Sequence, residues 1–292
     1  MNRMRIVVNP IAGKGLAPKM VELVNNCHPT RFTIDVCTTT GAGHARILAH
    51  QAAQDGYAAV VAVGGDGTVN EVASALVYTD TALGILPAGS GNGLARHLGY
   101  SAHPKKMLQQ LLNSNTDSID TLRINGKPSF NVSGWGFDGW VAWRFNKEGK
   151  RGLSNYTRIA LQEYLGYKGF DIEMRAENQT FTFENMHMLV MANASEFGNA
   201  ARIAPKADLQ DGRMDIVVVR KPSVFRLPAL FYRLFKGTIR DNDYLHQLTY
   251  RQIHVKASRV LHLHLDGEAQ EPCNELIAEV MPRSLNILRP SR

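Results

Sequence analysis

The chain has 292 residues, 44% hydrophobic and 20% charged, and carries a formal net charge of +7. This balance excludes intrinsic disorder, and the length admits two domains. No apolar run approaches the roughly 18 residues of a spanning helix, and Cys27, Cys37 and Cys273 lack the spacing of a disulfide framework or zinc knuckle.

The N-terminus passes into Ile6-Val7-Val8, which is too short for a signal-peptide core, so a cytoplasmic location is expected. Residues 1–115 alternate strand and helix patterns. Strands are expected at Arg5–Val8, Phe32–Val36, Ala58–Val63 and Ala82–Leu86. Helices are expected at Lys19–Asn26, His44–Gln54, Val69–Val77, Leu94–Leu98 and Lys105–Leu112. Such alternation predicts a parallel sheet covered on both faces, with ligands at the carboxyl ends of its strands.

From about Asp117 the pattern becomes short alternating strands, at Ile119–Ile124, Ser129–Ser133, Phe170–Arg175, Gln179–Phe183, Met186–Ala192, Met214–Val219, Gln252–Val255, Val260–Leu265 and Leu276–Val280. Helical stretches interrupt them near Tyr156–Tyr167 and Val224–Lys236. The fold expected is α/β plus all-β: a three-layer α/β domain over 1–118, with a returning strand at about 283–292, and an antiparallel β-sandwich over 119–282.

The most informative segment is Val60 to Glu71, in which a strand runs into Gly64-Gly65-Asp66-Gly67-Thr68. Glycines leave room for a phosphate against the backbone, and Thr68 is placed to cap a helix whose free N–H groups favour anionic charge. Asp66 would repel a bare phosphate, so it suits a metal ion or the reacting hydroxyl. A second turn, Pro87-Ala88-Gly89-Ser90-Gly91-Asn92-Gly93, repeats this logic after the next strand. The opening Asn9-Pro10-Ile11-Ala12-Gly13-Lys14-Gly15 lacks Walker A spacing, and no turn carries a dinucleotide fingerprint.

These residues resemble the diacylglycerol kinase catalytic family, which includes bacterial diacylglycerol kinase-like enzymes, sphingosine kinases and ceramide kinases. The resemblance extends through Asn193–Pro205, Asp208-Leu209-Gln210-Asp211-Gly212-Arg213-Met214 and Asp266-Gly267-Glu268. It implies an NAD kinase-like nucleotide-binding domain, ATP and Mg2+ as cofactors, and phosphoryl transfer to a lipid hydroxyl in a cleft between the domains. By position, Asn9, Thr39, Gly65, Asp66, Gly67, Thr68 and Ser90 would hold nucleotide or Mg2+. Gly64, Asn70, Glu71 and Asn92 in the same segments join that set. Asp266 and Glu268 match the motif carrying the general base and a metal-linked carboxylate. Asp211, with main-chain carbonyls of Asp208 and Arg213, matches a structural metal site. Diacylglycerol-specific members tend to have Asp where this chain has Gly93, and the Pro-Ala-Gly-Ser-Gly-Asn wording is closer to sphingosine kinases.

Phosphoryl transfer from ATP needs positioning, charge neutralisation and a proton acceptor, for which Asp66, Asp266 and Glu268 all qualify. Diacylglycerol or a related glycerolipid is the expected acceptor, with a sphingoid base as the alternative. An NAD kinase-like enzyme and a non-catalytic nucleotide or lipid binder rank below. The positive charge admits nucleic acid, but no basic-aromatic motif supports it. Transient contact with the inner membrane surface and a homodimer are compatible with this reading.

Three further features have two readings each. His262 and His264 share a strand face and, lacking a third metal ligand, read as a structural pair. Trp135, Trp140, Trp143, Phe137 and Phe145 either line an acyl pocket or pack a core. Val224–Lys236, with its interspersed Arg226, Arg233 and Lys236, either docks on the sandwich or lies on a membrane.

Overall fold

The computed structural model describes residues 2–27, 31–149, 152–242 and 244–290. Met1 and residues 291–292, which belong to the expected first domain, lie outside them. The chain forms two compact units, one running to Asp120 and resuming at Pro282, the other comprising Thr121–Met281.

The first unit alternates β1 (Asn2–Val8), α1 (Leu16–Asn25), β2 (Phe32–Thr38), α2 (His44–Gln54), β3 (Ala59–Gly64), α3 (Asp66–Leu76), β4 (Ala82–Pro87), α4 (Gly93–His97) and α5 (Pro104–Leu112). The strands pair in parallel in the order β2-β1-β3-β4. Every residue of β3 and β4 is buried, because helices cover both sheet faces and leave no polar side to alternate with. Helix α2 turns Ala45, Ala49 and Ala52 inward, and α3 buries Val69, Val72, Ala73 and Leu76. Gly84 lets α5 approach the sheet: a Cβ there would sit 2.8 Å from Leu111 and 2.9 Å from Val61.

The second unit continues from β5 (Asn115–Ile124) through β6 (Lys127–Ser129), β7 (Val132–Gly136), α6 (Phe137–Glu148), α7 (Leu153–Tyr164), β8 (Phe170–Ala176), β9 (Gln179–Ala192), β10 (Met214–Arg220), α8 (Leu227–Lys236), β11 (Leu245–Tyr250), β12 (Gln252–Leu261), β13 (Leu263–Leu265), β14 (Glu268–Ala269) and β15 (Cys273–Arg289). Its pairings are antiparallel, including β8 with β9, β9 with β10, and β12 with β15. Strand β10 is buried on both sides. Ile216 and Val218 join a core containing Trp135, Leu189, Met191, Val255 and Leu276. Val217 and Val219 face Val190, Ala192, Ile203 and Leu245, with Leu230 and Leu234 packed against them. The last part of β15 pairs in parallel with β4 through Ile287 and Leu83 in the first unit.

The sequence splits β9 into two strands at Glu184-Asn185, but the structure has one bulged strand. Asn185 takes a φ of 53° there, and its N–H is bonded to Asp171 Oδ1 at 2.8 Å. Helix α6 and strand β11 are additional to the elements expected from sequence. The α6 sequence is rich in Trp and Phe and holds Gly139, so it has little intrinsic helix signal; packing selects the helix. A Cβ at Gly139 would lie 2.1 Å from the His262 carbonyl oxygen, so this glycine permits α6 to approach the chain at β13.

Candidate active site

The two glycine turns end adjacent strands and meet backbone to backbone. A Cβ built on Gly89 would lie 2.6 Å from Gly65 Cα, and one on Gly91 would lie 2.7 Å from Asp66 Oδ2. Asp66 joins the turns, its Oδ2 accepting Asn92 N–H at 2.9 Å and its Oδ1 accepting Gly93 N–H at 3.0 Å. Burial pushes the Asp66 pKa up, opposed by these donors. Asn92 closes its own turn by accepting Gly89 N–H at 3.0 Å and donating to Gly89 O at 2.7 Å, from a left-handed backbone with φ 53°.

Helix α3 starts at Asp66, earlier than expected, and its N-cap is Gly65 with no side-chain cap. The expected capping role of Thr68 is therefore corrected: Thr68 lies inside the first turn, where its Oγ1 accepts Asn9 Nδ2–H at 3.2 Å. A Cβ at Gly64 would come 2.4 Å from Thr68 Oγ1, so the glycine accommodates this packing. Amides in a helix's first turn have no intrahelical acceptor, and the uncapped α3 start presents them as donors for an anion. Gly89→Ala is expected to part the turns, lowering stability by about 1–3 kcal/mol through overpacking. Thermal melts and titration with a nucleotide analogue, which should bind more weakly, check this.

The other residues of the nucleotide set have distinct surroundings. Asn9 follows β1 and donates its N–H to Val63 O at 2.9 Å, while Thr39 follows β2 and donates to Val8 O at 2.8 Å. Ser90 is exposed at the tip of the second turn. Glu71 accepts N–H bonds from Gly43 at 2.8 Å and Ala45 at 3.1 Å, capping the start of α2. Asn70 Oδ1 accepts Ser74 Oγ–H at 3.2 Å within α3. Sequence brought these two residues in by proximity to the glycines, and their side chains serve the helices.

In the second unit, Asp266 and Glu268 flank the turn between β13 and β14. Asp266 Oδ1 accepts Ser129 Oγ–H and Asn131 N–H, both at 2.9 Å, and Oδ2 accepts Phe130 N–H at 2.8 Å. Burial raises its pKa while these three donors oppose the shift. Both oxygens are thus engaged in holding the chain between β6 and β7. Glu268 is exposed, and among the described residues its carboxylate has no hydrogen-bond partner. Elsewhere, Asp208 Oδ1 accepts Gln210 N–H at 3.0 Å and Asp211 Oδ1 accepts Arg213 N–H at 2.8 Å. Among the described residues, no group of three His, Cys, Asp or Glu side chains is arranged to hold a metal.

Asp138 and His187 are two of the buried polar side chains not singled out by sequence. Asp138, in the first turn of α6, lies 3.4 Å from His264 Nε2. Gly134 leaves it space, since a Cβ there would strike Asp138 Oδ2 at 1.6 Å. The sequence signal is an acidic residue amid an aromatic run, and only the helix turns it toward His264. His264 therefore lies beside the Asp138 carboxyl group, whose Oδ2 makes no hydrogen bond among the described residues, while His262 sits against Trp140 and Trp143. Trp135 and Phe137 are buried in cores.

His187 is the second. It stacks on Phe137 at 4.3 Å with Tyr164 and Tyr167 edge-on, and both buried ring nitrogens lack hydrogen bonds among the described residues. Burial, then the charge of Lys221, pushes its pKa from 6.5 down to about 3. Unfolding releases the ring to take a proton below pH 6.5, so this group removes stability as pH falls from 6.5 toward 3. Equilibrium urea unfolding should show His187→Phe losing about 2 kcal/mol less than the parent between roughly pH 7 and 5.

Residues 3–124 match the family model described as the diacylglycerol kinase catalytic domain. Residues 131–289 match that of the YegS C-terminal NAD kinase beta sandwich-like domain. A diacylglycerol kinase of Mycobacterium tuberculosis is 29% identical over 299 residues, covering 99% of this chain and 96% of the relative. A diacylglycerol kinase of Bacillus subtilis is 26% identical over 274 residues, covering 92% and 90%. In fold, the chain is similar to a diacylglycerol kinase structure from Bacillus anthracis str. Sterne, with TM-score 0.77, 19% identity and coverage of 99% and 97%. An NAD kinase from Archaeoglobus fulgidus in complex with ATP gives TM-score 0.54 at 10% identity, covering 99% and 94%. An α/β domain of NAD kinase-like fold is thus followed by a β-sandwich, and the two family models match in succession. The chain belongs to the diacylglycerol kinase catalytic family and is a lipid kinase.

Proposed function

We propose that this lipid kinase uses ATP with Mg2+ and transfers the γ-phosphoryl group to the hydroxyl of diacylglycerol or a closely related glycerolipid. The observation that carries the nucleotide part is the junction of two glycine turns beside the uncapped start of α3. First-turn amides of α3 hold phosphate oxygens, with Asn9, Thr39 and Ser90 as further polar contacts. Asp66 fits a positioning role, because its oxygens accept from the second turn.

Mg2+ requires hard oxygen donors, and Glu268, as an exposed carboxylate, fits that chemistry. When bound, the ion neutralises phosphate oxygens. Glu268 also suits proton acceptance from the lipid hydroxyl, whose oxygen bonds to the γ-phosphorus as the bond to ADP breaks. Asp266, with both oxygens engaged, positions the turn that bears Glu268. A structural metal at Asp211 and the carbonyls of Asp208 and Arg213 has support in Asp215. Burial, and then the charge of Asp211, raise the Asp215 pKa to about 6, and a cation would offset the part due to Asp211.

The proposal includes transient contact with the membrane surface from the cytoplasmic side; no helix among the described residues is long and apolar enough to cross a membrane. A sphingoid base remains the second reading of the acceptor, because the second turn has Gly93, a buried residue whose N–H is committed to Asp66. Labelled ATP offered to diacylglycerol, monoacylglycerol, sphingosine, ceramide and NAD, with Mg2+ or with chelator, tests these assignments. Mg2+-dependent label in the glycerolipid supports the proposal. Label confined to sphingosine transfers it to the second reading, and label in NAD but no lipid overturns it.

A further inference from the structure

We propose that the outward face of Val224–Lys236 is a docking surface for an anionic lipid bilayer, an inference that rests on the lipid-kinase reading and identifies the surface used. A 3-10 turn at Val224–Arg226 leads into α8. Leu227, Leu230 and Leu234 recur at helical spacing and supply the inward contacts. Leu230 and Leu234 pack against the Val217–Val219 side of the sandwich, and Leu227 packs against the Phe137 cluster.

A second apolar set remains uncovered. Phe225 is 91% exposed, Tyr232 65%, Phe235 46%, Val224 44% and Phe231 41%. Aromatic side chains on an outward helix face, flanked by cations, are the composition of a helix lying in a membrane interface. The end of α7 adjoins this segment: Tyr164 Oη donates to Pro222 O, and Lys221 Nζ donates to Leu165 O at 2.9 Å and to Tyr167 O at 3.0 Å. Leu165, beside these contacts, is 74% exposed. The apolar surface therefore draws on two elements of the sandwich unit.

Charge selects the occupant. The sequence from Ile216 to Arg240 contains Arg220, Lys221, Arg226, Arg233, Lys236 and Arg240 but no Asp or Glu. Arg226, Arg233 and Lys236 are exposed beside the aromatic face. A second copy related by a two-fold axis would oppose this cationic surface to itself, and the whole chain carries +7. An anionic leaflet attracts it, each nearby cation contributing roughly a fivefold gain in partitioning. The aromatic rings enter the headgroup boundary while the long basic side chains reach the phosphates.

Flotation with vesicles of phosphatidylcholine, with and without phosphatidylglycerol, tests this. The parent chain is expected to float with phosphatidylglycerol vesicles and to detach with added salt. Phe225→Ser with Phe235→Ser, and separately Arg233→Glu with Lys236→Glu, are expected to cut partitioning about tenfold or more. Transfer to lipid in detergent micelles is expected to be unchanged in both variants. Phe225→Trp, quenched by brominated phospholipid, measures insertion without removing an aromatic side chain. The proposal is overturned if the parent ignores anionic vesicles or the tryptophan is not quenched. It is equally overturned if the variants float normally, lose micellar transfer in parallel, or only abolish self-association. Absence of micellar transfer in the parent would instead sink the lipid-kinase reading, with vesicle binding scored separately.

Discussion

Glu268→Gln is expected to lower turnover on the lipid acceptor by about 10²–10⁴-fold, with little change in melting temperature. The neighbouring carboxylates explain the choice. Asp266 accepts three hydrogen bonds from Ser129, Phe130 and Asn131, so its removal disturbs the fold as well as activity. Glu268 is exposed and has no such duty, so glutamine keeps its size while removing its basicity. Loss of proton acceptance in the transition state should reduce kcat and kcat/KM together. A variant retaining turnover within about threefold of the parent would remove Glu268 from the proton-accepting role.

Asp66→Ala is expected to destabilise the first unit by about 3 kcal/mol and to abolish nucleotide binding at ordinary concentrations. Two backbone donors, at Asn92 and Gly93, lose their charged acceptor together, and bonds to charged groups are worth about 1.5–3 kcal/mol each. Asp66→Asn retains one acceptor oxygen but turns an NH2 group toward the other donor, so an intermediate loss is expected. Calorimetric melting and titration with a nonhydrolysable ATP analogue measure the two effects. If both variants bind the analogue like the parent, the junction between the turns is not what shapes the phosphate site.

The parallel half of the fold is legible because its strands end at glycine turns and its helices keep a clear period. His44–Gln54 coincides with α2 residue for residue. The sandwich is less legible because long-range pairing overrides local signals: Asn185 interrupts the apolar alternation, yet β9 continues through it as a bulge. Helix α6 has no clear local signature, and with it went Asp138 and the aromatic setting of His187. At the site, the glycines and acids are visible in sequence, but their division of labour is not. Asp66 and Asp266 look like free acids until the backbone amides they accept are known. Glu71 looks like part of the phosphate turn until α2 is seen starting on it.

Strand β15 leaves the second unit and supplies Ile287 to the edge of β4, with Arg283 at a φ of 46° and its N–H held by Asp120 Oδ1 at 2.7 Å. The first unit is therefore discontinuous in the gene. During translation, a growing polypeptide has β1 to β4 early, but its sheet stays short of one neighbour until the codons beyond Pro282 have been read. Premature termination there would strip the last strand from the parallel half and leave the edge of β4 open to pairing with other chains.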